Sequence, residues 1–183
     1  SGTVPTARLG TGTASSSTIL YGDNTWAAAA GGGLVLQSQQ ATANGRTIIT
    51  STTYSSTGVT DTITCASSSS KVLVIVSAQF GLDSNNAAVA YIQAKFQLTN
   101  NHSGISETSL VETCYGNYFP EDSGMDMILQ STCSMVYIDS PSTTNELTYT
   151  LNGAVAQATS GLEVISGGSG AYDKTIILIE LSE

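Results

Sequence analysis

Few residues in this chain have the type and spacing to do chemistry. His102, in "TNNHSGIS", is the only histidine. A His-based triad or a multi-histidine metal site within one chain is therefore excluded. His102 reads as a solvated loop residue; only three copies meeting on a symmetry axis would bring histidines together. The densest acidic group is Glu121, Asp122 and Asp126 in "PEDSGMDM". Glycoside hydrolysis needs two carboxyl groups on opposite sides of a sugar, which adjacent acids in a Gly/Ser loop do not provide. The loop also lacks the spaced D-x-D-x-D pattern of a calcium site. "GTGTAS" (10–15) imitates a phosphate cradle, but it has no Gly-Lys-Ser/Thr ending and does not stand between a strand and a helix. The sequence thus predicts no catalytic residue, no metal, no cofactor and no enzyme.

The contact chemistry is richer. "CYGNYF" (114–119) concentrates Tyr115, Tyr118 and Phe119 around Asn117, ahead of Glu121 and Asp122. Aromatic faces offer stacking and Asn and Gly offer polar edges, the chemistry of surfaces that meet sugars or proteins. The competing reading packs these aromatics inward at a strand end. Cys65, Cys114 and Cys133 fit no zinc spacing and are odd in number. They read as buried thiols in strand-like stretches; a Cys114–Cys133 bridge is compatible with the sequence but not required.

The elements that would hold these residues are strands. In "KVLVIVSAQFGL", Val72, Val74, Val76, Ala78, Phe80 and Leu82 fall on one face. In "AVAYIQAKFQLT", Ala88, Ala90, Ile92, Ala94, Phe96 and Leu98 do the same. Strict alternation of this length marks half-buried strands. Weaker runs occur at 34–41, 47–54, 59–66, 105–115, 126–138, 146–152 and 174–181. Asn-Gly pairs at 44–45 and 152–153 read as tight turns between antiparallel strands, and "DSP" (139–141) and "SGGSG" (166–170) as further loops. The expected fold is all-β: an antiparallel β-sandwich, jelly-roll-like, over residues 34–183.

Two strands are apolar on both faces. "KTIILIEL" sets Ile177, Ile179 and Leu181 against Ile176 and Leu178. "DMILQSTCSMVYI" sets Met127, Leu129, Cys133, Met135 and Tyr137 against Ile128, Val136 and Ile138. A second apolar face needs a second partner, and another subunit would supply it.

Charge narrows the partners. With 14 acids against five basic residues the net charge is −9. No basic stripe exists to follow a phosphate backbone, so nucleic acid and anionic membrane surfaces are disfavoured. No run approaches the ~18 apolar residues of a membrane span, and no signal peptide is visible. Ser1 in place of an initiator Met marks a fragment or a processed product. Ser and Thr total 51, and charged residues are only 10%, well below the roughly 25% of an ordinary globular chain.

Residues 1–33 differ from the rest: small side chains, Pro5, a turn-like "YGDNT" (21–25), Trp26, then alanines and "GGG" (31–33), a flexible joint. This stretch lacks a core of its own. It resembles a recurrent element of bacteriophage tail-fibre and related virion proteins, of the order "ARLG…GTA…GD-x-TW", which precedes a C-terminal β-domain. The matching residues are Val4, Pro5, Ala7, Arg8, Leu9, Gly10, Gly12, Thr13, Ala14, Thr18, Leu20, Gly22, Asp23, Thr25 and Trp26. Tyr21 and Asn24 stand where Arg and Gly are frequent. "YIDSPSTTNELTYTL" (137–151) and the terminal "TIILIEL" also resemble the end of a fibre-head jelly roll.

The resemblance implies a homotrimer on the virion surface, a stalk leading into a β-sandwich head, and loops at the head's far end that recognise a host surface glycan or protein. Other tail or fibre proteins would be its remaining partners. Residues 1–33 would be an extended stalk shared by three chains, with Leu9, Ile19, Leu20 and Trp26 turned inward or docked on the head. Tyr115, Asn117, Tyr118, Phe119, Glu121 and Asp122 become the receptor-contact candidates. The alternatives are a head fibre or capsid decoration without a receptor, a polysaccharide-degrading fibre with an intersubunit site, and a secreted trimeric ligand of the C1q or tumour-necrosis-factor type.

Overall fold

Thirteen strands and no helix organise the described residues of the computed structural model, which are 5, 9–15, 18–28, 34–43, 45–83, 91–101, 108–118, 128–156, 161–164 and 174–183. The strands are β1 (Thr11–Gly12), β2 (Thr18–Leu20), β3 (Thr25–Ala28), β4 (Val35–Ala43), β5 (Thr47–Ile49), β6 (Ser55–Thr64), β7 (Lys71–Asp83), β8 (Tyr91–Asn101), β9 (Thr108–Tyr118), β10 (Ile128–Asp139), β11 (Glu146–Val155), β12 (Gly161–Val164) and β13 (Lys174–Leu181).

Two sheets face each other from residue 35 onward. One runs β4-β13-β7, with β10 along the other edge of β7; the second runs β6-β11-β8-β9. Every pairing in both is antiparallel. The chain crosses between the sheets at β5–β6, β6–β7, β7–β8, β9–β10, β10–β11 and β11–β12, while β8 and β9 pair directly as neighbours. This order is a jelly roll, an eight-stranded double sheet of two Greek keys. β7 is the spine: β10 follows it from Val72 to Asp83, while its opposite edge is shared by β13 and β12.

The alternation read from the sequence builds the core. Val72, Val74, Val76, Ala78, Phe80 and Leu82 of β7 are all at most 1% exposed, and face Ala94, Phe96 and Leu98 of β8 across the sandwich. The Phe80 and Phe96 rings meet at 5.0 Å with their planes 58° apart, a tilted arrangement that suits the aromatic quadrupole. Cys65 and Cys133 are buried thiols, as expected.

Two expectations need correction. Asn152-Gly153 is not a turn: both residues lie inside β11, beside Gln97 and Phe96 of β8, at a register shift against β6. The extra residues belong to the partner: β6 steps from Val59 to Ser56 against Leu151 and Asn152, so Thr57 and Gly58 (φ 82) form a bulge that re-aims β6 without ending it. The Asn-Gly at 44–45 does not close a hairpin either. Gly45 takes φ +110, but β4 pairs with β13 and β5 with β12, so the two strands continue along one edge. The run at 47–54 pairs only to Ile49.

The described part of the opening stretch folds back on its own chain into a three-stranded sheet, β1-β3-β2. β2 and β3 form a hairpin pairing Leu20 with Trp26; β1 adds in parallel, pairing Gly12 with Trp26. Small residues make this approach fit. A Cβ on Gly12 would sit 2.5 Å from the Trp26 carbonyl oxygen, and one on Gly10 would overlap that of Asn24.

Candidate interaction site

Register places the ends of the sandwich. Leu181 pairs with Val35 and with Lys71, and the Ser182 amide donates to the Leu34 carbonyl at 2.9 Å. Asp139 pairs with Val72, and Glu146 with Thr64. These residues define an entry pole, where the chain arrives from the opening segment. At the opposite pole Ala94 pairs with Tyr115, Ile92 with Asn117 and Tyr91 with Tyr118. Asp83 pairs there with Ile128 and Gly161. Tyr115, Asn117 and Tyr118 thus close β9 at the far pole. Phe119, Glu121 and Asp122, like Asp126 and His102, lie outside the described residues.

The entry pole is fastened by buried polar groups that the sequence reading missed. Asp139 (β10) accepts at the same carboxylate oxygen from the Tyr149 hydroxyl (2.8 Å, β11) and the Asn100 side-chain amide (2.7 Å, β8). That oxygen therefore bridges the two sheets. Burial first, then the neighbouring carboxylate, pushes the Tyr149 hydroxyl far above its ordinary value, so it stays a donor. The Glu180 carboxylate, fully buried at the end of β13, accepts from Gln37 Nε2 (2.6 Å) and the Ala66 amide (2.7 Å). Gln37 also donates to the Thr64 carbonyl at 2.6 Å. Burial opposes ionisation of Glu180, but the hydrogen bonds it accepts, those from Gln37 and the Ala66 amide among them, outweigh it and hold its pKa below the ordinary value. At the other end of β13, buried Lys174 donates to the Thr57 carbonyl (3.0 Å) and to the Thr47 hydroxyl (3.4 Å), and burial pulls its pKa down. Parity was the available signal, because Lys174 and Glu180 share the buried face of β13 with Ile176 and Leu178.

On the face of the β4-β13-β7-β10 sheet that points away from the core, β13, β7 and β10 are apolar, while β4 sets Gln40 and Ser38 beside Ile177 and Ile179. Val136, Ile75 and Ile177 lie side by side in one row, and Ile138, Leu73 and Ile179 in the next. Val136 is 67% exposed and Ile138 54%, while the other four are half-buried. Leu34, Val35 and Leu36 expose 67%, 55% and 42% at the β4 flank. The second faces expected of β10 and β13 are thus one continuous surface. Leu73 and Ile75 complete it; their signal was apolar identity at the polar parity of β7.

The opening sheet is uncovered too. Leu9 is 41% exposed, Ile19 49% and Leu20 40%. The hairpin turn is fixed by Asp23, which accepts from the Thr25 hydroxyl (2.6 Å) and amide (3.1 Å), and by Asn24 at φ 61. Trp26 is half-buried, and its Nε1 meets no acceptor among the described residues. Those residues also contain no group of three or more His, Cys, Asp or Glu able to hold a metal ion.

No protein-family model and no curated protein matches this sequence. Among solved structures, a tumour-necrosis-factor protein, Eiger of S. frugiperda, is 14% identical, with 62% of this chain and 60% of that one covered and a TM-score of 0.33. The VP2 subviral particle of infectious bursal disease virus is 10% identical over 86% of this chain and 35% of that one, TM-score 0.24. A structure of the Gx strain of that virus is 12% identical over 89% and 37%, TM-score 0.27. The chain spans less than two thirds of each, and at these scores the fold rests on its own strand order.

Proposed function

We propose that this protein is a structural and host-attachment component of a phage virion: the distal part of a homotrimeric fibre, exposed on the tail, that binds a host surface glycan or protein without processing it. The observation that carries this reading is the polarity of the head. The chain enters at one pole through the motif that resembles fibre proteins, and Tyr115, Asn117 and Tyr118 sit at the other. A stalk-mounted adhesin needs that separation, because its contact residues must project away from its anchor. The uncovered Leu9, Ile19 and Leu20 of the opening sheet support a trimeric stalk, since other copies would shield them.

Binding of the labelled full chain to a panel of bacterial cells and purified envelope glycans tests the proposal. Saturable binding is expected, weakened at least tenfold by Tyr115→Ala with Tyr118→Ala while the melting temperature holds. Unchanged binding by that variant would remove the far pole as the contact site, and released oligosaccharides would make the protein an enzyme.

A further inference from the structure

We infer that the outward face of the β4-β13-β7-β10 sheet is where copies of this chain meet, with the β10 flank of one copy seated on the β4 flank of the next around a closed three-fold ring. The inference rests on the self-association proposed above, but not on the phage assignment.

Three observations select a second copy as the occupant. The first is charge. The chain carries 14 acids and five basic residues, yet no carboxylate lies among the outward positions of Thr175–Leu181, Lys71–Ser77 and Ser134–Ile138. Glu180 and Asp139, the acids nearest this face, are buried on the core side. Two such faces meet without the repulsion that the rest of a strongly acidic surface would impose.

The second is size. Four strands about 4.8 Å apart and seven residues long span roughly 400 Å² of footprint, apolar on β13, β7 and β10 and carrying Ser38 and Gln40 on β4. A patch of that size matches the largest that a monomer leaves bare, and such patches are often contact surfaces. It is also about half of what one partner contributes to a standard interface, roughly 800 Å², so the remaining contact falls to other parts of the chain.

The third is arrangement. The most exposed side chains form two separate clusters at opposite flanks: Val136 and Ile138 on β10, and Leu34, Val35 and Leu36 at the start of β4. A head-to-tail ring requires two complementary patches on each subunit, whereas a two-fold dimer requires one self-complementary patch. The β10 flank is also an unguarded edge. Its twelve residues contain no Lys and no Pro, and β7 is its only strand partner among the described residues. Long edges of that kind are normally charged, broken or covered.

The test measures the solution mass of the full chain by light scattering. Wild type is expected at about three times 18.8 kDa. Val136→Lys and Val35→Glu, each alone, should reduce it to one chain at micromolar concentration, with circular dichroism and a cooperative melt unchanged. The double variant Val136→Lys/Val35→Glu should restore the trimer if the flanks touch, which also distinguishes lost contact from lost folding. Thr62→Asp, on the other sheet, should leave the trimer intact. A wild-type trimer indifferent to both single variants would overturn the face while leaving the homotrimer reading standing. A double variant that stays monomeric would overturn the seating of flank on flank. A wild-type mass of two chains would overturn the ring, and a mass of one chain would overturn this inference and the homotrimer together.

Discussion

Replacing Tyr149 with Phe removes one oxygen from the buried polar group at the entry pole. Tyr149 is fully buried, Asn100 is 5% exposed and Asp139 is 8% exposed. The hydroxyl gives Asp139 one of its two side-chain donors, at 2.8 Å, and the Asn100 amide gives the other at 2.7 Å. A hydrogen bond to a charged acceptor contributes about 1.5–3 kcal/mol. Tyr149→Phe leaves the ring packing intact, so the loss should be about 2 kcal/mol. A domain of this length loses about 2–4 °C per kcal/mol, which puts the melting temperature about 6 °C lower. Urea unfolding followed by circular dichroism reads the same quantity at constant m. Asn100→Ala added to Tyr149→Phe would strip the carboxylate of both donors. Because they share one oxygen, the double variant should cost at least about 0.5 kcal/mol more than the two single losses together. Strict additivity, or a single-variant loss below about 0.5 kcal/mol, would mean that water reaches Asp139 and that no bridge between the sheets exists.

Two further outcomes follow from other sites. Glu180 has its pKa lowered from an ordinary 4.5. Its contribution is therefore complete above pH 4.5 and is lost as pH falls through the folded value; Glu180→Gln should be less stable at neutral pH and show a shallower acid limb in urea titrations from pH 6 to 3. An identical limb would refute the assignment. Gly12→Ala places a Cβ 2.5 Å from the Trp26 carbonyl oxygen at φ +96, so β1 must detach. Trp26 is the only tryptophan, and its emission should shift to the red while the far-ultraviolet signal of the head is retained; an unmoved spectrum would mean that β1 does not pack on β3.

The head was legible because burial in a sandwich follows a period of two. Val72 to Leu82 and Ala94 to Leu98 announce which face is inward, and the doubled apolar faces of "KTIILIEL" and "DMILQSTCSMVYI" announce a surface in need of cover. What the period does not encode is chain reversal. Asn152-Gly153 has the composition of a turn, but tertiary pairing on both sides holds it in β11, opposite a bulge in β6. Buried polar groups were hidden for a related reason. Lys174, Glu180, Asp139 and Asn100 are types that normally face water, and only partners distant in sequence, such as Gln37 for Glu180 and Tyr149 for Asp139, permit their burial. The contact candidates are legible as chemistry, but register alone places Tyr115, Asn117 and Tyr118 at the pole opposite the joint.

The opening motif changes most when it acquires a geometry. Its small residues suggested a segment ordered only inside a shared shaft, yet a single chain already gives them work. Gly10 and Gly12 let β1 lie against β3. Asp23 ties the hairpin turn through Thr25, and Trp26 sits between Leu20 and Gly12. Asn24 fits the same scheme. It stands where Gly is frequent in the resembling proteins, and its φ of 61 is the left-handed conformation that Gly adopts freely and Asn tolerates best among the other residues. The substitution therefore preserves the turn. A motif whose glycines, aspartate and asparagine all serve one backbone path is a folding unit rather than a linker. In the proposed trimer its uncovered Leu9, Ile19 and Leu20 would be what neighbouring copies bury, so the stalk would assemble from preformed hairpins rather than from three disordered strands.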